Sequence, residues 1–184
     1  MAAFTIVPRH VLGKGHVAPS DKLRIAGIGA GGKGESDLSE FAMSPNVEIV
    51  AMADVDDRAA AKSRKAYPNA KYYHDFREML EKEKNNIDAC SISTPDNTHA
   101  VATIAAMQLG KHVYTQKPLT HDIYEARILT EAAKKYKVVT QMGNQGHSEA
   151  NYFQFKAWTE AGIIKDVTAI TAHMNSARRW HAFD

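Results

Sequence analysis

Cysteine is almost absent. Cys90 is the one thiol in 184 residues, so no disulfide closes within the chain and nothing in it dictates a redox compartment. Its surroundings, Ile87-Asp88-Ala89-Cys90-Ser91-Ile92-Ser93, read as a strand, which predicts a buried and inert thiol. Long apolar runs are missing too. No stretch approaches the roughly 18 residues that cross a membrane, and residues 1–22 carry no signal-peptide core. Neither sign of charge dominates, with 23 Lys and Arg against 21 Asp and Glu. The basic clusters Lys62-Ser63-Arg64-Lys65 and Lys134-Lys135 suit solvated helix faces, and Arg178-Arg179 is too short to make a nucleic-acid patch. The nine histidines never fall as H-x-x-x-H, and residues 145–148 lack metal-ligand spacing, so no metal site is expected.

Glycine, by contrast, is concentrated in one place. The run Leu23-Arg24-Ile25-Ala26-Gly27-Ile28-Gly29-Ala30-Gly31-Gly32-Lys33-Gly34 passes from apolar residues into glycines and then into Glu35-Ser36-Asp37-Leu38. That order reads as strand, tight turn, helix. Gly29, Gly31 and Gly34 fit G-x-G-x-x-G, in which the first glycine turns the chain, the second admits a pyrophosphate and the third lets helix and strand pack closely. Free N–H groups and partial positive charge at the helix start then favour phosphate, making Gly29, Ala30, Gly31, Gly32, Lys33 and Gly34 a candidate cradle. Such a turn can also be a plain loop, so its context matters. A second apolar run, Val47-Glu48-Ile49-Val50-Ala51-Met52-Ala53, ends in Asp54, twenty residues after Gly34, where the ribose-binding acid of a dinucleotide site is expected. A carboxylate there accepts from ribose hydroxyls and repels a 2'-phosphate, which favours NAD over NADP.

The rest of the chain continues the alternation. Helices are expected over residues 36–43, 56–66, 75–84, 100–109 and 122–136, and strands at Tyr72-Tyr73, over 88–93, 111–115 and 138–142. Strands alternating with helices predict an α/β fold with a parallel, doubly wound sheet. Ligands of such a sheet sit beyond the strands' carboxyl ends, which directs attention to residues 29–34, Asp54, and the loops 94–99, 116–118 and 143–148. From Glu149 the character changes: Phe153, Phe155, Trp158 and Ile163 suggest an aromatic, amphipathic helix ending near Gly162, and residues 166–174 alternate like a strand. Residues 1–19, with Pro8, Gly13, Gly15 and Pro19, suggest an extended arm.

Taken together, the glycine turn, Ala53-Asp54-Val55-Asp56, Ser93-Thr94-Pro95-Asp96-Asn97-Thr98-His99-Ala100, Gln116-Lys117-Pro118 and Ala161-Gly162-Ile163-Ile164-Lys165-Asp166-Val167 resemble the Gfo/Idh/MocA oxidoreductase family over roughly residues 22–175. The wording Lys117-Pro118-Leu119-Thr120-His121 and Gln141-Met142-Gly143-Asn144-Gln145-Gly146-His147-Ser148 is similar to the branch that includes NAD-dependent glycosidases and uncharacterised sugar oxidoreductases.

The resemblance implies a Rossmann domain over 20–147, preceded by the arm and followed, over 148–184, by the opening of a second, incomplete α+β domain for substrate binding and dimerisation. It implies NAD as cofactor, a carbohydrate or glycoside as substrate, a homo-oligomer for the full-length protein, and neither nucleic acid nor membrane as partner. Export to the periplasm follows from the branch alone; the chain shows no leader, and the alternative is a cytoplasmic protein. Cofactor contacts are expected from the glycine turn, Asp54, Thr94, Pro95, Asn97, His99, Gln116 and Lys117, with His99 also suited to orienting the helix that follows. Gln116 stands where the family has glutamate, so it hydrogen-bonds but cannot act as acid or base.

Lys117 is a candidate catalytic group, its ammonium stabilising a developing alkoxide; the competing reading is a surface lysine before a turn proline. His147 is a candidate acid or base, since histidine titrates near neutral pH, against an ordinary loop histidine. Three functions remain open at this point: an NAD-dependent dehydrogenase of sugars, sugar acids or cyclitols; a glycosidase that oxidises, eliminates and re-reduces; and a nucleotide-binding fragment without catalysis.

Overall fold

The computed structural model describes Ala18 and residues 21–172. The arm expected over residues 1–19 lies, apart from Ala18, outside the described residues. The order is β1 (Leu23–Ile28), α1 (Lys33–Ala42), β2 (Val47–Ala53), α2 (Asp57–Ala66), β3 (Lys71–Tyr73), α3 (Phe76–Glu83), β4 (Ala89–Ile92), α4 (His99–Gln108), β5 (His112–Gln116), α5 (Ile123–Tyr136), β6 (Thr140–Gly143) and α6 (Ala150–Glu160). All strand pairings are parallel, in the order β3-β2-β1-β4-β5-β6. The chain winds outward from β1 to β3, then crosses back to β4 on β1's other side. That reversal opens a crevice between the loops after β1 and β4, the usual ligand position in such sheets.

Alternation along β1 explains why both faces are covered. Ile25 packs with Leu38, Ile49, Met52 and Ala60 under α1 and α2, while Ala26 and Ile28 face Met79, Leu80, Ile92, Ala102 and Met107 under α3 and α4. Leu38 and Met52 are fully buried, and each such side chain contributes about 1.5–3 kcal/mol. Cys90 is buried in the second of these cores, where burial pushes its thiol up to about 12, consistent with an inert role.

Three helices start on aspartates expected to sit at their ends. Asp56, Asp75 and Asp122 accept from the main-chain N–H groups of Arg58, Arg77 and Glu125 at 2.9, 2.9 and 2.8 Å. α1 instead begins at Gly32, with φ +54° and no side-chain cap.

The described residues form two compact units, one ending at Asn144 and one beginning at Gln145. In the second, α6 matches the expected helix and ends before Gly162, but it is not amphipathic. Phe153, Phe155 and Trp158 are all exposed, and Phe153 and Phe155, two residues apart, point to opposite sides of the helix. Residues 166–172 form no strand, contrary to their alternation; Met174 lies outside the described residues. Asp166 has φ +52°, which breaks an extended path, and no neighbouring strand satisfies the main chain there among the described residues.

Candidate functional site

The glycine turn is shaped by close contacts. A side chain at Gly29, whose φ is +82°, would stand 2.6 Å from the Ser93 carbonyl oxygen, and one at Gly34 would stand 1.9 Å from the Gly29 carbonyl oxygen. The first and third glycines therefore let β1, the β4 loop and α1 meet. Gly31 lines the cleft, and a side chain there would also collide with Ala59 of α2, at 2.7 Å.

Asp54 closes this turn from below. Its Oδ2 accepts from the N–H groups of Ala30 (2.8 Å) and Gly31 (3.0 Å), and Oδ1 accepts from Asp56 N–H (3.0 Å). Three of roughly four acceptor positions on the carboxylate are thus engaged within the protein. The Tyr72 hydroxyl donates to the Asp54 carbonyl at 2.9 Å, and Ser63 Oγ donates to the Ala30 carbonyl at 2.6 Å. The acid is held rigidly at the end of β2.

Between these loops lies a cleft of about 490 Å³, within the range of small-molecule sites. Gly29, Gly31, Asp54, Thr94 and Pro95 line it, joined by Val55, His74 and Phe76. His74 and Phe76 were not anticipated, although they follow β3 at the same edge of the sheet and the rule for strand ends would have flagged them. The wall suits a dinucleotide: apolar Val55, Phe76 and Pro95 share it with the Asp54 carboxylate. Among the described residues, no acceptor meets the Gly32 and Lys33 N–H groups, and Thr94 Oγ1 is buried without a partner. Those donors and that hydroxyl match phosphate and ribose oxygens.

The β5 side of the same edge is built from side chains. Lys117 is exposed just past the end of β5, and its peptide bond to Pro118 is cis. Gln116 is buried and donates through Nε2 to Asp37 Oδ2 at 2.8 Å; Ser93 Oγ donates to the same oxygen at 2.7 Å, and Lys33 Nζ pairs with Asp37 Oδ1 at 2.8 Å. Gly143, paired with Gln116 in register, leaves room for the amide: a side chain there would stand 2.8 Å from Nε2.

His99 is also buried, 1% exposed, with Nδ1 2.6 Å from the Pro118 carbonyl and Nε2 2.8 Å from the Thr94 carbonyl. A neutral ring has one N–H and serves one carbonyl, whereas an imidazolium serves both. Either way the side chain ties the loop after β4 to the loop after β5 and offers no group to the cleft, so of its two expected roles the structure supports orientation. Asn97 sits exposed in a single 3-10 turn, Asp96–Thr98, outside the cleft lining.

His147 belongs to the second unit, at the end of a short 3-10 turn, Gln145–His147, where its exposed ring stacks on Tyr152 at 4.9 Å and 18°. Sequence reasoning missed Asp37 and Ser93. The spacing of Lys33 and Asp37 reads as an ordinary surface pair on α1, and only the arrival of Ser93 and Gln116 buries the acid. Among the described residues, no cluster of three metal-ligating side chains occurs and no helix is long and apolar enough to cross a membrane.

This geometry has known counterparts. The model of an oxidoreductase family with an NAD-binding Rossmann fold, GFO_IDH_MocA, matches residues 23–144. The myo-inositol 2-dehydrogenase of Thermotoga maritima is 28% identical over 142 residues, 77% of this chain and 42% of that protein. A glycosyl hydrolase family 109 protein of Shewanella sp. (strain W3-18-1) is 32% identical over 146 residues, 72% of this chain and 31% of that protein. The crystal structure of myo-inositol 2-dehydrogenase from Lactobacillus plantarum superposes with a TM-score of 0.70 at 28% identity, covering 78% of this chain and 42% of that one. The chain thus spans less than half the length of these relatives. With a match across the whole sheet, from the start of β1 to the end of β6, the chain belongs to the Gfo/Idh/MocA oxidoreductase family and contains its NAD-binding Rossmann domain.

Proposed function

We propose that the chain is the cofactor-binding portion of an oxidoreductase that moves a hydride between a hydroxyl-bearing carbon of a sugar, sugar acid or cyclitol and NAD. The observation that carries this reading is that a cleft walled by Gly29, Asp54 and Thr94 and the exposed Lys117 at the end of β5 lie along the same carboxyl edge of the parallel sheet. NAD, when bound, supplies the hydride acceptor. The glycine turn and the Gly32 and Lys33 N–H groups hold its phosphates, and Asp54 uses its remaining acceptor position on the adenosine ribose. Lys117 sets an ammonium beside the substrate oxygen as negative charge develops there. The hydroxyl proton passes to a base, for which His147 is this chain's candidate, and the residues from Gln145 onward open the substrate domain. The inositol dehydrogenase among the relatives supports a polyol substrate.

A second reading, a glycosidase working by transient oxidation, elimination and re-reduction, is favoured by the 32% identity to the glycosyl hydrolase family 109 protein. One experiment separates the two. The whole protein that carries this chain is incubated with NAD and a panel of inositols, aldoses, sugar acids and aryl glycosides while absorbance at 340 nm and released sugar are followed. The dehydrogenase reading expects NADH to accumulate with a polyol, and Lys117→Ala to abolish it. Sugar release without net NADH supports the glycosidase. Neither signal, from a protein that binds NAD, overturns the catalytic reading.

A further inference from the structure

One buried acid has no part in the chemistry above. Asp37, in the second turn of α1, is 4% exposed, and a carboxylate so placed is tolerated only when paired and fully hydrogen-bonded. Its partners come from three separate elements: Lys33 from its own helix, Ser93 from the loop after β4, and Gln116 from the end of β5. The carbonyl of the same Ser93 occupies the space that a side chain at Gly29 would need, and Gln116 immediately precedes Lys117. Asp37 is therefore the point where the phosphate turn, the cleft loop and the lysine-bearing strand end are fastened together.

The donor at 116 is an amide, which meets the Asp37 carboxylate without adding charge. Glutamine offers Nε2 to Asp37 at 2.8 Å, whereas glutamate would set a second carboxylate against the first in a buried site. Gly143 supports the same arrangement by keeping the space beside Nε2 clear.

We infer that Asp37 is a positioning residue for Lys117, acting through Gln116, and that the carboxylate at 37 dictates the amide at 116. This inference rests on the reading of Lys117 as the group beside the reacting oxygen, but its structural half stands apart from turnover and is tested separately. Three variants of the full chain are compared with the parent: Asp37→Asn, Gln116→Glu, and the transposed pair D37N/Q116E, which exchanges amide and carboxylate. Lysines are reductively dimethylated with carbon-13, and the Lys117 methyl resonance is identified by its disappearance in Lys117→Arg. Alongside this, kcat and KM for NAD are measured with whichever polyol gives NADH.

Each single variant should displace the Lys117 resonance and lower kcat at least tenfold, with KM for NAD changing less than kcat. The transposed pair should return the resonance toward its original position and recover kcat to within about threefold of the parent. A Lys117 resonance unmoved in both single variants, even with a lowered melting temperature, would reduce Asp37 to a structural acid and overturn the inference. So would a transposed pair no better than the worse single variant. If the resonances respond as expected while no polyol is oxidised, the positioning role stands and the oxidoreductase reading fails. Should Gln116→Glu not fold, Gln116→Met, which keeps the length and drops the donor, takes its place with the same expected displacement.

Discussion

The two sides of the sheet's ligand edge each fasten their loops with a carboxylate, and they do so in opposite ways. On the β1–β2 side, Asp54 is half-buried, addresses main-chain N–H groups and faces a cleft of about 490 Å³. On the β4–β5 side, Asp37 is sealed and meets the side chains of Lys33, Ser93 and Gln116, while Lys117 stands outside the cluster. Each carboxylate meets three donors, so the difference lies in exposure: an acid that lines a cavity is suited to a ligand, whereas one enclosed by side chains is suited to holding its neighbours.

The sharpest break of this comparison is at the glycine turn. Gly34→Ala sets a methyl group against the Gly29 carbonyl and should cost about 3 kcal/mol in urea unfolding, at the upper end of overpacking effects. Gly32→Ala faces open space and should cost about 1–3 kcal/mol, the penalty of placing a side chain at φ +54° and ψ −112°, outside the left-handed helical region.

Next in size is the acid on the open side. Asp54→Ala removes the acceptor for two turn N–H groups as well as the one offered to ribose. NAD affinity should fall about 30-fold, about 2 kcal/mol, in a calorimetric titration. Asp37→Asn should affect NAD affinity less than Asp54→Ala does, because Asp37 does not line the cleft.

The smallest effect is expected away from the edge, at a third acid. Glu83, also buried, accepts from Asn86 (3.0 Å), Lys71 (2.8 Å) and the Tyr73 hydroxyl (2.7 Å), and those hydrogen bonds pull it down from 4.5 to about 2. A pKa lowered on folding contributes stability that is complete above about 4.5 and lost as pH falls toward 2. Glu83→Gln should therefore flatten the acid limb of the stability curve between those values and cost about 1 kcal/mol at pH 7, read by urea melts at a series of pH values.

How far the sequence anticipated this molecule depends on the range of the interactions involved. Strand and helix limits followed from alternation, from glycine and proline breaks and from capping aspartates such as Asp56, Asp75 and Asp122, all set within a few residues of where they act. The turn and Asp54 were legible because both the motif and its spacing are local to one strand-helix-strand unit. Asp37 was not. Its burial depends on Ser93 and Gln116, 56 and 79 residues away, a separation that no local pattern reveals. His99 was half legible: its position at the start of α4 suggested orientation, but the Pro118 carbonyl it meets lies 19 residues on. The failed strand at 166–172 teaches the converse, that alternation describes a face and still needs a partner to form a ladder.

The account turns on whether the β1–β2 side alone is a nucleotide site with a preference set by Asp54. The direct measurement is a calorimetric titration of the chain, shown to unfold cooperatively, with NAD and NADP in parallel. NAD should bind at least tenfold more tightly, about 1.4 kcal/mol, since a 2'-phosphate would meet the Asp54 carboxylate. Equal affinities, or a folded chain that binds neither nucleotide, would contradict it.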